Sequence, residues 1–315
     1  MGKGEIDLTE IRILASDLGF SSIGATYPLP EVISIFPWAR SCLSLALAYT
    51  PAPQLLSKPE EPCARVALFA SSADYHTVLT EKLSVLSQRI KERSRAQCAI
   101  CVDTLPIPER LIAHMAGTIW LGRNCCAFAG GAGSFCVLGE IITDLDPPDS
   151  VPPLPSLCGD CTRCVEACPT HALSGDGTLD PTRCLSALTQ TPGHIPCDLR
   201  PLLADRLYGC DTCQEVCPHN ASVLHSEPAF AVSRPPGRHP LLIPLLELST
   251  AGFRATLRNS PIGWIGRTRV RRNACIVAGN LRAIEAAPSL RKLATCNTPT
   301  LREHAEWALG NIDTR

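Results

Sequence analysis

The sequence has no excess of charge of either sign. Twenty-nine Lys and Arg face 30 Asp and Glu over 315 residues, a formal charge of −1. No global basic field therefore draws the chain to nucleic acid, and any RNA contact must come from a local patch. No uninterrupted apolar run reaches the ~18–20 residues of a membrane-spanning helix. The opening Met1-Gly-Lys-Gly-Glu-Ile-Asp7 lacks the basic and apolar regions of a secretion signal, so a soluble cytoplasmic protein without membrane attachment is expected. No G-x-G-x-x-G follows a strand and no G-x-x-x-x-G-K-[ST] occurs, which leaves dinucleotide and P-loop folds without support. Charged residues are also sparse, at 19%.

What is abundant is cysteine, with 18 residues, and proline, with 28. Without an export signal, clustered thiols read as metal or redox ligands before they read as disulfides. The length allows two or three domains of ~100–200 residues each. Residues 5–20 show helical apolar spacing up to Gly19, Cys42–Tyr49 reads as a buried strand and Asp74–Ile90 as a helix. Ala99–Asp103 reads as a short strand, Glu109–Met115 as a helix, and Phe135–Leu138 and Glu140–Thr143 as apolar strand segments. Alternating helices and strands predict an α/β or α+β first half. Asp144–Ser156 contains five prolines and marks a boundary. From about 245 onward, helices are expected at Ala274–Ala287, Ser289–Leu293 and Leu301–Leu309, a pattern of small stacked helices.

Two cysteine runs dominate the middle of the chain. Cys158-Gly-Asp-Cys161-Thr-Arg-Cys164-Val-Glu-Ala-Cys168-Pro169 has the C-x2-C-x2-C-x3-C-P form of bacterial ferredoxins. Cys210-Asp-Thr-Cys213-Gln-Glu-Val-Cys217-Pro218 has the same ending but lacks a first cysteine, which Cys184 upstream would supply. Eight thiolates suit two [4Fe–4S] clusters. In such modules the last cysteine of each run ligates the other cluster. Cys158, Cys161, Cys164 and Cys217 are then expected on one cluster, and Cys168, Cys184, Cys210 and Cys213 on the other. Cys197 is the rival to Cys184. Four-cysteine zinc sites also use C-x2-C pairs, but the third cysteine and the C-P endings belong to the ferredoxin pattern. The other ten cysteines read as small buried hydrophobes.

The flanks exceed the ~60 residues a bare two-cluster ferredoxin needs, so the clusters are expected to feed a site in the N-terminal half. Asp103 ends a strand before Thr104-Leu-Pro-Ile-Pro108 and is a candidate proton donor; a turn aspartate would look the same. Gly130-Gly131-Ala132-Gly133 would allow close approach of a large flat ligand, or is a plain loop.

Several motifs, in order along residues 60–315, resemble epoxyqueuosine reductases. They are Asp74-Tyr-His76, Val102-Asp-Thr-Leu-Pro-Ile-Pro-Glu-Arg110, Ala116-Gly with Trp120-Leu-Gly-Arg-Asn124, and Gly133-Ser with Leu138-Gly-Glu-Ile141. They continue with the two cysteine runs, Asp180-Pro-Thr-Arg-Cys184, and Arg271-Arg-Asn-Ala274 with Gly279-Asn280. The segment between Gly24 and Pro37 is shorter than in that family, and Ala116-Gly-Thr-Ile-Trp120 departs from its A-G-x-G-W. The resemblance implies an α+β chain: a nitroreductase-like cobalamin-binding catalytic domain at 1–150, a ferredoxin-like domain with two [4Fe–4S] clusters at 151–225, and HEAT-like helices at 226–315. It further implies reduction of epoxyqueuosine to queuosine in tRNA by low-valent cobalamin fed from the clusters. Asp103 falls at the family's proton donor, and Asn124, Ala127, Leu138 and Gly139 where it lines the corrin. Arg267, Arg269, Arg271 and Arg272 lie where a basic surface would meet tRNA phosphate. An external electron donor such as flavodoxin or ferredoxin is implied. The alternatives are a related corrinoid reductase acting on a small molecule, such as a dehalogenase, or a non-catalytic electron carrier.

Overall fold

The computed structural model describes residues 8–49, 57–147, 152–221, 227–231 and 234–313. Among these, the strands are β1 (Ser22–Thr26), β2 (Ser41–Ala48), β3 (Arg65–Val66), β4 (Cys98–Cys101), β5 (Ile119–Leu121), β6 (Ala127–Ala129), β7 (Cys136–Thr143) and β8 (Arg206–Tyr208). The main sheet has the order β1-β2-β7-β4 with every neighbouring pair antiparallel. Helices and sheet are mixed as an α+β architecture, as the sequence leads one to expect.

The sheet belongs to a first unit made of residues 1–50, 75–162 and 216–229. Its central strand β2 is buried along its whole length, and its two faces differ in bulk. Leu43, Leu45 and Leu47 alternate with Cys42, Ser44, Ala46 and Ala48, because successive side chains of a strand point to opposite faces. Helix α1 (Leu8–Asp17) packs on β1, and α2 (Pro30–Ile35) buries Val32 with Ile112 and Ile142. The long α3 (Tyr75–Ser94) packs on β4 and β7 and buries Val78, Leu79, Leu83, Leu86 and Ile90, spaced at helical intervals. Helix α4 (Glu109–Met115) lies against β1, β2 and β7, where the small residues of β2 leave room for it. The two apolar segments expected around residue 139 form the single strand β7, since Gly139 keeps the ladder running opposite Leu45.

The second unit comprises residues 51–74, 163–215 and 230–315. The units therefore cut across the boundaries expected at 150 and 225. The reason is pairing across the sequence. β3 runs parallel to β8, which places 57–74 with the cysteine-bearing segment. In the first unit, Lys82 pairs with Glu227 at 2.8 Å.

Three short helices lie in the second unit's cysteine-bearing part, α5 (Arg163–Glu166), α6 (Leu185–Gln190) and α7 (Thr212–Glu215). They are followed by α8 (Leu242–Leu246), α9 (Thr250–Thr256), α10 (Gly266–Asn280), α11 (Ala287–Ala294) and α12 (Pro299–Asp313). The core forms around α10, whose Val270, Ala274, Cys275, Val277 and Ala278 pack with Leu207, Leu242, Leu246, Leu290 and Ala305.

The helix expected at Ala274–Ala287 begins eight residues earlier and ends seven earlier. Its early turns are built from arginines that donate to backbone carbonyls. Arg272 is 1% exposed and its guanidinium donates to the carbonyls of Leu188, Thr191 and Gly193. Asn273 Nδ2 donates to Thr189 O at 2.8 Å and to Leu207 O at 2.7 Å. Asn280 Nδ2 donates to Arg200 O at 2.8 Å and Ala204 O at 3.0 Å. The helix stops there, with Arg282 at φ +50°.

A second polar tie is the buried pair Arg238–Asp211 at 2.5 Å. Arg238 also reaches Glu215 at 3.1 Å, while Asp211 accepts the Leu68 amide at 2.9 Å. Breaking such a pair leaves one charge buried alone. Arg238→Ala is expected to destabilise the fold by about 3–5 kcal/mol, read as a lowered urea midpoint.

Candidate functional site

The site in the first unit starts at the end of β4. After the buried Val102, Asp103 takes a left-handed backbone, φ +48°, a conformation that an aspartate tolerates better than most side chains but that still needs support. The chain passes through Pro106 and Pro108 and enters α4 at Glu109. The Glu109 carboxylate turns back to accept the Asp103 amide at 2.5 Å, closing the seven-residue loop. Tyr75, the first residue of α3, donates its hydroxyl to Asp103 Oδ2 at 2.7 Å. His76 Nε2 lies 4.0 Å from the same oxygen, its ring stacked on Tyr75. The Asp103 side chain remains 67% exposed, so a reacting group has access to it.

Behind this loop sits a second carboxyl. Glu140 of β7 is fully buried, accepts the Ser44 hydroxyl at 3.2 Å through Oε1, and leaves Oε2 without a partner. Burial, and then the charges of Glu109 and Asp103, push its pKa well above the usual carboxylate range, so that the group holds its proton. Burial also raises Glu109, to about 7, with the Asp103 charge adding to it while the Asp103 amide and His76 oppose it. Sequence reading singled out Asp103 alone. Tyr75 and Glu109 stood inside quoted motifs, but only the fold brings them to it, and the burial of Glu140 has no local signature.

Of the residues expected around the corrin, Ala127 and Leu138 are partly uncovered apolar side chains grouped with Leu121 and Cys136 beside Ala46, Ala129 and Ala132. A Cβ added at Gly130 or Gly131 would meet nothing within 4 Å, so the adjoining loop leaves space. Apolar floor and open glycine loop fit a large flat macrocycle. Asn124 and Gly139 sit deeper. Asn124 is buried, with Oδ1 accepting the Cys126 amide at 3.2 Å. A Cβ at Gly139 would lie 2.7 Å from Leu83 Cδ1, so that glycine seats α3.

The expected cluster ligands are divided between the units. Cys158, Cys161 and Cys217 belong to the first, and Cys164, Cys168, Cys184, Cys210 and Cys213 to the second. None of the 18 cysteines is in a disulfide. In the first unit the Arg123 amide donates to Cys158 Sγ at 3.4 Å. In the second, the Ala172 amide donates to Cys168 Sγ at 3.3 Å. Burial opposes ionisation of Cys168, but amides of Ala172, Thr170 and Leu173, with the Thr170 hydroxyl, outweigh it and hold the thiol below its ordinary value. Burial raises the Cys184 thiol, and Cys210 and Cys213 are near enough to raise it further. Cys197 is exposed.

The arginine cluster needs a correction. Arg272 lies inside the unit with its donors satisfied by carbonyls, so it does not face RNA. Arg267, Arg269 and Arg271 are half-buried and donate to Leu248 O, Gln190 O and Leu246 O. Arg269 also lies 5.5 Å from the ring of Trp264, whose indole is 62% exposed. A group formed by His194, Glu303 and His304 is a structural tie: buried His304 donates or accepts at both ring nitrogens, to Thr300 O at 2.7 Å and from the Ile195 amide at 3.2 Å.

Residues 31–104 match the family described as epoxyqueuosine reductase QueG, and residues 157–220 the 4Fe-4S double cluster binding domain. An epoxyqueuosine reductase of Staphylococcus aureus is 36% identical over 284 residues, covering 88% of this chain and 73% of the relative. The chain belongs to the epoxyqueuosine reductase family. It is an oxidoreductase with two [4Fe–4S] clusters. The Listeria monocytogenes epoxyqueuosine reductase is 37% identical over 91% of this chain and 76% of its own. Among solved structures, an epoxyqueuosine reductase with an epoxyqueuosine-modified tRNA-Tyr stem loop is 31% identical with a TM-score of 0.87, covering 97% of this chain and 90% of the other. A Bacillus subtilis epoxyqueuosine reductase, also 31% identical, has a TM-score of 0.86 over 96% of this chain and 90% of the other, and its catalytic aspartate loop is swung out of the active site. Among the described residues no helix is long and apolar enough to cross a membrane.

The raised pKa of Glu140 sets a direction for stability. A carboxyl raised by folding contributes stability below its unfolded value near 4.5, and that contribution is lost as pH rises toward its folded value. Unfolding midpoints are expected to fall from pH 5 to pH 8, and Glu140→Gln, which keeps an acceptor for Ser44, to flatten that decline.

Proposed function

We propose that this chain reduces epoxyqueuosine to queuosine in tRNA, with Asp103 as the proton donor. The observation that carries this reading is the presentation of Asp103 at the mouth of the closed loop, exposed yet fixed by Tyr75 and Glu109. The balance is epoxyqueuosine plus two electrons and two protons to queuosine and water. Cobalamin, when bound, supplies the low-valent metal that delivers the electrons to carbon. Ala127 and Leu138 would form the apolar floor beneath it. Asn124 would hold the 122–126 turn and Gly139 would seat α3 behind that floor.

Asp103 protonates the departing oxygen. Tyr75 orients the carboxyl by its hydroxyl, and His76 lies near enough to return a proton through the same oxygen. The eight cysteines of the 157–220 module hold the two clusters. For one cluster the four ligands fall in a single unit, Cys168, Cys184, Cys210 and Cys213, and the proximity of Cys184 to Cys210 and Cys213 favours it over exposed Cys197. By role the chain divides into a catalytic part at 1–150, a cluster part at 151–225 and a helical part at 226–315. Within the last, Arg267, Arg269 and Arg271, with the exposed Trp264 ring beside Arg269, would meet RNA, by charge and by stacking on an unpaired base. Electrons would come from a flavodoxin or ferredoxin in the cytoplasm. Small-molecule dehalogenation and simple electron carriage are not favoured, since the relatives at 35–37% identity are named epoxyqueuosine reductase.

The test is an anaerobic assay of the reconstituted chain on an epoxyqueuosine stem loop, followed by nucleoside mass spectrometry. Loss of one oxygen from the modified base is expected; intact epoxide with full iron and cobalt loading would refute the reading. Asp103→Asn is expected to retain iron, cobalt and stem-loop binding while lowering turnover by about 10²–10⁴-fold. Cys184→Ser should reduce the iron content by about half, one cubane of the two, whereas Cys197→Ser should leave it unchanged.

A further inference from the structure

The loop from Asp103 to Glu109 begins in a left-handed conformation and ends at the first turn of α4. One short hydrogen bond, from the Asp103 amide to Glu109 Oε1 at 2.5 Å, joins its two ends. Both prolines of the loop lie between those ends, and neither can donate to hold it. The position of the Asp103 carboxyl therefore depends on a side chain six residues away. We propose that Glu109 is a positioning residue, a latch that holds the loop in the conformation presenting Asp103 to Tyr75 and to the substrate.

Two further observations support the latch. The B. subtilis relative has been seen with its catalytic aspartate loop swung out, so a loop of this kind has a second position. Glu140 stands buried behind Glu109 with an unpartnered oxygen. A carboxyl in that setting keeps its proton, and this leaves Glu109 as the member of the pair that ionises. The charged and titratable groups that act on Glu109 are Asp103 on its own loop, His76 from α3, Cys101 from β4 and Glu140 from β7, while on α4 itself Arg110 donates to Cys125 O and His114 lies against Ile119 O. Ionised Glu109 accepts the amide as a charge-assisted bond, roughly twice as strong as a neutral one. With Glu109 at about 7, the latch is engaged above neutrality and loosens as pH falls below it.

The inference rests on Asp103 being the proton donor, so the test reads the loop separately from turnover. Hydrogen–deuterium exchange of the 102–109 segment is measured in the cluster-loaded full chain from pH 6 to pH 8. Rates are corrected for intrinsic exchange and compared for wild type, Glu109→Gln and Glu109→Ala. Wild-type protection should fall about tenfold as pH drops through 7. Glu109→Gln, which keeps an acceptor without a charge, should show intermediate protection independent of pH. Glu109→Ala should lose protection throughout. In single turnover, Glu109→Gln should remove the acidic limb of the kcat profile near pH 7 and leave KM for the stem loop within about twofold. Unchanged protection and an unchanged pH profile in Glu109→Gln would overturn the latch, a result that does not depend on Glu109→Ala folding. Should exchange follow Glu109 while the epoxide stays intact, the latch stands and the proposed reaction fails.

Discussion

The second unit depends on polar side chains of α10 being spent on backbone carbonyls of the segment that carries the cysteines. Loops that must hold sulfur at set positions cannot pair their own carbonyls in regular ladders, and buried carbonyls need donors. Arg272 serves Leu188, Thr191 and Gly193, Asn273 serves Thr189 and Leu207, and Asn280 serves Arg200 and Ala204. Each bond crosses at least 66 residues of sequence, so the cysteine segment and the helical core cannot order independently. A guanidinium suits this work because its five donors are fixed in one plane.

The first unit solves the opposite problem. It holds an exposed acid still while keeping negative charge away from the core. Small residues on one face of β2 let α4 approach, and that approach brings the start of α4 to the end of β4. Asp103 and Glu109, six residues apart in sequence, thereby become hydrogen-bonded neighbours, with Tyr75 reaching over from α3. Glu140 on β7 is the cost of this arrangement. Its carboxyl is buried with one oxygen unpaired, and such groups occur where a fold serves something other than stability.

Much of this was legible in the sequence and some was not. The α4 boundaries followed from its helical pattern and from Gly117 after its last turn. The clusters followed from cysteine spacing, because ligand geometry imposes short fixed intervals. The start of α10 escaped because Arg267 to Arg272 reads as a solvated basic patch. Composition cannot tell a guanidinium facing water from one facing carbonyls, and for Arg272 that difference reverses the inferred role. Gly139 likewise read as part of a cofactor lining, whereas the missing side chain makes room for Leu83. The division into two interleaved units was invisible, since a two-residue strand such as β3 leaves no periodicity.

Cysteines outside the two ferredoxin runs bear on how iron finds its place. Burial lifts the thiols of Cys42, Cys101, Cys136 and Cys275 to about 12. Sulfur that keeps its proton is a poor nucleophile and a poor metal ligand. A chain with 18 thiols thus screens several of them from stray metal and from peroxide by packing alone, so that cluster assembly meets fewer competing sulfurs than the composition implies.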